Sequence, residues 1–394
     1  MSQFDRLVDR TTSGDLKWNR HIMAAMTGAQ LPETVYPMWI ADGDFACPPH
    51  VLSALHARVD REIFGYPAMP RDFGASAAFW MERRFGWHAE PEWAVLTPGV
   101  IAGLHLAIRL FTEPGEGVVL QTPVYDHFFS AVTQSGRRVA ENPLLCRDGA
   151  YRMDLDGLEA LLQDPSNRLL VLCSPHNPVG RVWTRAELEA LGGVCRRHGV
   201  AVVSDEIHAD LVYGSRRHTP LLSLWPDAPW LQLSSPGKTF NMPGLKTAYA
   251  LIPDPELRRR FQAVQASLSL EGKNTLGLTA FRAAYAPESL PWVDELTAYL
   301  AENAALAAAC FAGTPLVMSP LEGTYLAWLD CRALGLDDRT LLRTAASRGV
   351  VPSGGGAYGT GGAGHLRLNL ACPRRQLEAA LSLLRAALLE AAPA

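Results

Sequence analysis

Lys238 lies in the stretch SSPGKTFNMPGLKTAYALI, Ser234 to Ile252, where Gly-Lys-Thr has the form of the end of a nucleotide-binding P-loop. A P-loop needs a glycine five positions before Gly237, so that consecutive N–H groups wrap around two phosphates, and Gln232 stands there instead. Such a loop also runs directly into a helix. Here Asn241, Pro243 and Gly244 interrupt the path, and the apolar TAYALI that follows reads as a strand. The lysine is therefore a candidate for chemistry: in a pocket with few like-charged neighbours an ammonium loses its proton by desolvation and becomes a nucleophilic amine. Asp205 ends the valine-rich VAVVSDEI, where its carboxylate could reach a buried cationic or protonated partner. Asn177 stands between Pro175 and Pro178, in stiff backbone that fixes the direction of its amide. Together they describe a site in which a lysine amine captures an aldehyde carbon and an acid faces a ring nitrogen.

Such residues need a scaffold that brings them together. Between about Val95 and Ile252, the runs GVVLQTP, RLLVLCSP, VAVVSDEI, WLQLSS and AYALI are too short and too uniformly apolar for surface helices. They suit strands buried on both faces of a parallel sheet. Between two of them, TRAELEALGGVCRRHG opens on Thr184 as N-cap, carries Glu187 at the capping-box position and ends on Gly199. The pattern predicts an α/β domain. Ligands of such sheets bind beyond the carboxyl ends of the strands, and Tyr125, Asn177, Asp205 and Lys238 each end or follow an apolar run. After about Ala280 the pattern changes to alanine- and leucine-rich helices separated by GTYLAWLD and HLRLNLA. This predicts a large domain over 46–280 and a smaller α+β domain made of 281–394 with 1–45 packed back on it. The glycine-rich SGGGAYGTGGAG, Ser353 to Gly364, reads as a mobile loop.

The bulk properties narrow the partners. A net charge of −4 and no long basic run leave no electrostatic footprint for nucleic acid. No apolar run approaches the roughly 20 residues of a membrane span. The first ten residues, MSQFDRLVDR, lack the apolar core of a secretory leader, so a cytoplasmic location is expected. The seven cysteines are scattered, without a Cys-x-x-Cys pair, and His176, His198 and His208 lack zinc-site spacing; reduced thiols and no metal are expected.

SPHNPVGRVWTRAEL, VVSDEIHADLVY, SSPGKTFNMPGLKTAYALI and HLRLNLACP stand in the order and spacing of the fold-type I pyridoxal 5′-phosphate enzymes of aminotransferase class I/II. The chain resembles that family over nearly its whole length. MWIADGDFACPP, IFGYP, LTPGVIAGLHLAIRLFTEPGEGVVLQTPVY and SPHNPVGRVW resemble more specifically the MalY/PatB-type cystathionine beta-lyases. The resemblance implies the fold-type I transferase architecture, pyridoxal 5′-phosphate as cofactor and an amino-acid substrate. It makes Lys238 the residue that binds the cofactor aldehyde and later shuttles the proton, with Asp205 on the pyridinium nitrogen, Asn177 on the phenolic oxygen and Tyr125 on the ring face. Gly99 and Val100 would give backbone N–H groups to the phosphate at a helix N-terminus, and Ser235 and Lys246 would add side-chain donors. Tyr66 would reach the phosphate from a neighbouring subunit, which implies a homodimer. Arg367, placed by alternation on the face opposite Leu366 and Leu368, would bind the substrate carboxylate in a bidentate fork.

Two positions depart from the family pattern. Many relatives carry tyrosine three residues after the ring-pairing aspartate and arginine eight after the lysine, where this chain has His208 and Lys246. Lys246 offers the phosphate a point charge without a guanidinium fork. His208 either touches the phenolic oxygen or is a packed strand-end histidine. Trp39 and Asp42 lie either at the substrate entrance or in an interface segment. The implied reaction is β-elimination of a thiol from cystathionine or another cysteine S-conjugate, with amino transfer as the alternative outcome from the same lysine.

Overall fold

The computed structural model describes residues 2–391. Its central sheet has seven strands: β1 (Ala94–Thr97), β2 (Gly117–Leu120), β3 (Arg138–Glu141), β4 (Asn167–Cys173), β5 (Ala201–Asp205), β6 (Leu231–Ser234) and β7 (Ala248–Leu251), in spatial order β1-β7-β6-β5-β4-β2-β3. The five runs expected as strands all take part; β1 and β3 are added at the two edges. Strands β3, β2, β4, β5 and β6 are mutually parallel. AYALI departs from the expected direction, since β7 is antiparallel to both of its neighbours. Its amino end therefore opens at the same edge of the sheet as the carboxyl ends of the others.

The uniform apolarity of these strands has its reason in burial on both faces. Val118, Leu120, Leu169, Val171, Val203, Leu233 and Ala250 meet Leu104, Ala107 and Ile108 of helix α1 (Val100–Phe111). The alternate residues, among them Val119, Leu170, Leu172, Val202 and Leu251, join the second and larger cluster with Leu188 and Leu191. Each fully buried side chain of this kind contributes about 1.5–3 kcal/mol relative to exposure. Leu188 and Leu191 belong to helix α3 (Arg185–Arg197), which follows α2 (Asp126–Gln134) in the chain. At its start Thr184 and Glu187 form the reciprocal capping box expected from the spacing, and Gly199 follows its C-cap residue at φ +65°.

A second sheet, of β8 (Val317–Met318), β9 (Leu326–Asp330), β10 (Ser353–Gly354) and β11 (His365–Asn369), is antiparallel in the order β8-β9-β11-β10. Helices α4 (Ser289–Phe311), α5 (Asp338–Ser347) and α6 (Arg374–Glu390) accompany it. The N-terminal segment packs here: Phe4 sits edge-on to Trp292 and beside Tyr299, and Tyr36–Pro37 pair in parallel with Val350–Val351.

The glycine-rich segment expected to be mobile is anchored instead. The Asp338 carboxylate accepts Gly356 N–H at 2.8 Å and Gly364 N–H at 2.6 Å, and Tyr358 is buried with its carbonyl on Val124 N–H at 3.0 Å. Its glycines serve close approach: a Cβ on Gly355 would stand 2.0 Å from the Gly362 carbonyl oxygen. No helix among the described residues is long and apolar enough to cross a membrane.

Candidate active site

At the shared edge of the large sheet lies a cavity of about 280 Å³, and the strand ends supply its walls. Asp205 closes β5. Asn177 follows β4, Tyr125 follows β2, and Ser235 and Lys238 follow β6. The reversed β7 begins two residues after Lys246, which is how that lysine reaches the same space. Gly99 and Val100 stand where β1 passes into α1, and Gly99 adopts φ +147°, a conformation that favours glycine. No side chain caps α1, so its first N–H groups and the positive end of its dipole are left for a ligand. His208 completes the wall.

Burial sets the electrostatics. The Asp205 carboxyl is pushed up from 3.8 to about 7, chiefly by desolvation; the Ile207 N–H it accepts at 3.1 Å and the charge of Lys238 pull the other way. Desolvation likewise brings the Lys238 ammonium down from 10.5 to about 8, helped by Arg367 and opposed by Asp42. Near neutral pH a fraction of Lys238 is thus already free amine. The same desolvation holds His208 well below its ordinary value, so it is a neutral imidazole; its Nδ1 is buried without a partner, and its ring meets Tyr325 edge-on. Burial, with Asp126, raises the Tyr125 hydroxyl, which stays protonated.

The cavity opens into a cleft of about 1330 Å³ lined by Trp39, Asp42, Tyr125, Asp126, His127, Lys238, Tyr358 and Arg367, among others. Arg367 on β11 is buried, donates to Asn177 Oδ1 at 3.2 Å and to the Trp39 carbonyl at 2.7 Å, and lies over the Tyr358 ring at 5.2 Å. Because Asn177 Oδ1 is engaged by Arg367, its Nδ2 remains to face the cavity. Arg367 Nε is buried and unpartnered, an orphaned donor of the kind an anionic ligand satisfies. Trp39 is tied down through Nε1 to the Lys17 carbonyl at 3.0 Å, so it borders the cleft as part of a fixed segment. Tyr66 belongs to neither space; it is fully exposed, at 107% relative accessibility.

Other groups at this site carried no sequence signal. The Ala41 carbonyl accepts a hydrogen bond from Lys238 Nζ and another from the Tyr325 hydroxyl at 3.1 Å, and a backbone oxygen has no residue type by which to be recognised. Asn369 holds the Ile40 and Asp42 carbonyls at 2.6 Å each, fixing the segment around Ala41. For Asp126 and His127 the readable signal is the consecutive Tyr-Asp-His after β2.

The orphaned donors, the uncapped helix and the lysine and aspartate of shifted acidity fit a phosphorylated, aldehyde-bearing heteroaromatic ring. The comparisons agree. The family model for aminotransferase class I and II matches residues 40–384. The chain is 41% identical to cystathionine beta-lyase PatB of Bacillus subtilis (strain 168), over 98% of this chain and 99% of that protein. It is 36% identical to protein MalY of Escherichia coli (strain K12), over 96% of each. Among solved structures, cystalysin from Treponema denticola, which contains a pyridoxal 5′-phosphate cofactor, superposes with a TM-score of 0.93 at 32% identity, covering 98% of both chains.

Proposed function

The chain belongs to the aminotransferase class I and II family, and from that membership we propose that it is a pyridoxal 5′-phosphate-dependent carbon–sulfur β-lyase. Its substrate is L-cystathionine or a related cysteine S-conjugate, and its products are a thiol, pyruvate and ammonia. The full-length likeness to a cystathionine beta-lyase at 41% identity carries this reading. When bound, the cofactor supplies an aldehyde carbon for the amine and an electron-accepting ring.

The rest belongs to the protein. Lys238 Nζ, a partly free amine because its pKa has fallen to about 8, binds that aldehyde and then takes the substrate α-proton as general base. Asp205, costly to ionise alone, becomes a stable carboxylate beside a protonated ring nitrogen and keeps the proton there. Asn177 Nδ2 donates to the phenolic oxygen and Tyr125 covers the ring. The free N–H groups at Gly99 and Val100, with Ser235 and Lys246, hold the phosphate. His208, with its Nδ1 unpartnered, lies in the wall of the cavity that holds the ring. Arg367 binds the substrate carboxylate in the cleft that Trp39 also lines. Residues 46–280 form the cofactor domain, and 1–45 with 281–394 the smaller one, of which residues 1 and 392–394 lie outside the described residues. Tyr66 reaches the phosphate of a second copy in a homodimer.

The test uses protein loaded with pyridoxal 5′-phosphate and given L-cystathionine without a keto acid. Pyruvate and homocysteine are expected in equal amounts, and none from Lys238→Ala. Amino transfer that depends on an added keto acid, with no thiol released, overturns the lyase reading in favour of an aminotransferase.

A further inference from the structure

β-Elimination leaves a sulfur atom that must depart from the β-carbon, and none of the groups assigned above meets it. We propose that His127 is a further catalytic residue, the acid that gives its Nε2 proton to the departing thiolate, with Asp126 orienting it from Nδ1. The inference rests on the lyase reading. His127 lies in the first turn of α2, on the wall of the large cleft into which the cofactor cavity opens, along with Lys238 and Arg367. Its ring stacks on Tyr125 with centroids 4.8 Å apart and planes 12° from parallel, so it continues outward from the residue assigned to the ring face. Asp126 Oδ1 engages Nδ1 at 3.0 Å, whereas Nε2 has no hydrogen-bond partner among the described residues. A carboxylate on one ring nitrogen fixes the tautomer and orientation of the other.

The charged groups around it are Asp126 on its own helix, Arg367 on β11 and Lys238 beyond β6. The bond and charge of Asp126 outweigh burial and the two cations and raise the His127 pKa above 6.5. The step balances as follows. Lys238 Nζ takes the α-proton, the Cα–H electron pair becomes the second Cα–Cβ bond, and the Cβ–S pair leaves on sulfur. His127 Nε2–H protonates that sulfur, and the neutral imidazole regains a proton from water. An alkyl thiolate, whose conjugate acid has a pKa of about 8.5, benefits from such an acid; chloride does not.

The measurement is therefore a ratio of kcat values, L-cystathionine over β-chloro-L-alanine, with pyruvate as the readout. In His127→Gln this ratio is expected to fall by about a hundredfold, the lower end of the range for loss of a general acid. The wild-type kcat for cystathionine should decline as pH rises through the His127 pKa, because the acid is lost. Asp126→Asn should move that decline to lower pH. A packing role for His127 slows both substrates alike, and an unchanged ratio overturns the assignment. Absence of pyruvate from both substrates with wild-type enzyme overturns the lyase reading, and the assignment falls with it.

Discussion

Asp205 and Lys238 are held in the wrong ionisation range for residues of their type, and the direction of that displacement has a consequence for stability. With Asp205 at about 7 in the folded protein against 3.8 ordinarily, the native chain binds more protons than the unfolded chain between those values. Stability of the cofactor-free protein therefore falls as pH rises from about 4 to 7, and the deficit is complete above 7. Removing the charge should reverse this. Asp205→Asn keeps an acceptor for Ile207 N–H, and in cofactor-free protein it is expected to gain roughly 1–4 kcal/mol at pH 8, with no gain below pH 4. Urea midpoints at pH 4, 6 and 8 measure it. A variant less stable than wild type at pH 8 would show that Asp205 has a native partner that offsets its burial. The same substitution should lower kcat by about a hundredfold or more, since the asparagine cannot pair with a protonated ring nitrogen. On the proposed role of Asp205, stability is given up for function at this position.

At the scale of elements, the anchored loop 353–364 supports Arg367, the residue proposed to bind the substrate carboxylate, from below. Tyr358 lies under Arg367 at 5.2 Å and also bonds Ser353 Oγ at 3.0 Å, while Asp338 on α5 pins the loop at Gly356 and Gly364. Asp338→Ala removes two charge-assisted bonds and is expected to lower stability by roughly 2 kcal/mol. If the loop positions Arg367 in ground state and transition state alike, KM should rise about three- to tenfold with kcat nearly constant. Steady-state kinetics, with protease cleavage within 353–364 as a structural readout, distinguish this from a fall in kcat alone, which would contradict a role in binding. Glycine content read as mobility in the sequence because the restraints are distant: Asp338 is 18 and 26 residues from its two partners. The direction of β7 was hidden for a related reason. AYALI is as apolar as its neighbours, and apolarity reports burial on two faces but says nothing of strand polarity. What was legible had local causes: the Thr184–Glu187 capping box, and the polar residues at strand ends that gather Asn177, Asp205 and Lys238 in one cavity. The Ala41 carbonyl and the Asn369 clamp on its segment depend on contacts between residues 197 and 329 positions apart.

The molecule as a whole leaves one segment unexplained by its own packing. Between Pro49 and Phe73, the side chains of Val59, Ile63, Phe64, Tyr66 and Met69 are all exposed, Ile63 at 74% and Phe64 at 55%. A monomer seldom presents so many large apolar side chains in one short stretch; their concentration supports the proposal that a second copy covers this surface. A two-fold dimer using this surface would carry Tyr66 away from its own cavity and into that of the partner. The geometry makes a test possible that does not depend on size alone. Lys238→Ala and Tyr66→Ala chains each form defective homodimers, the second assayed at limiting cofactor. In a heterodimer one site combines both defects, and the other combines an intact Lys238 with an intact Tyr66 from the partner. Co-expressed at equal levels with random pairing, half the dimers are mixed and half of their sites are intact, so lyase activity should return to about a quarter of wild type. If Tyr66 served its own chain, every site of the mixed dimer would keep one defect and no activity would return; if it served none, the Tyr66→Ala homodimer would already be fully active. Recovery near a quarter therefore establishes both the dimer and the exchange of Tyr66 across it, whereas a lack of recovery in dimers shown to be mixed rules out that exchange.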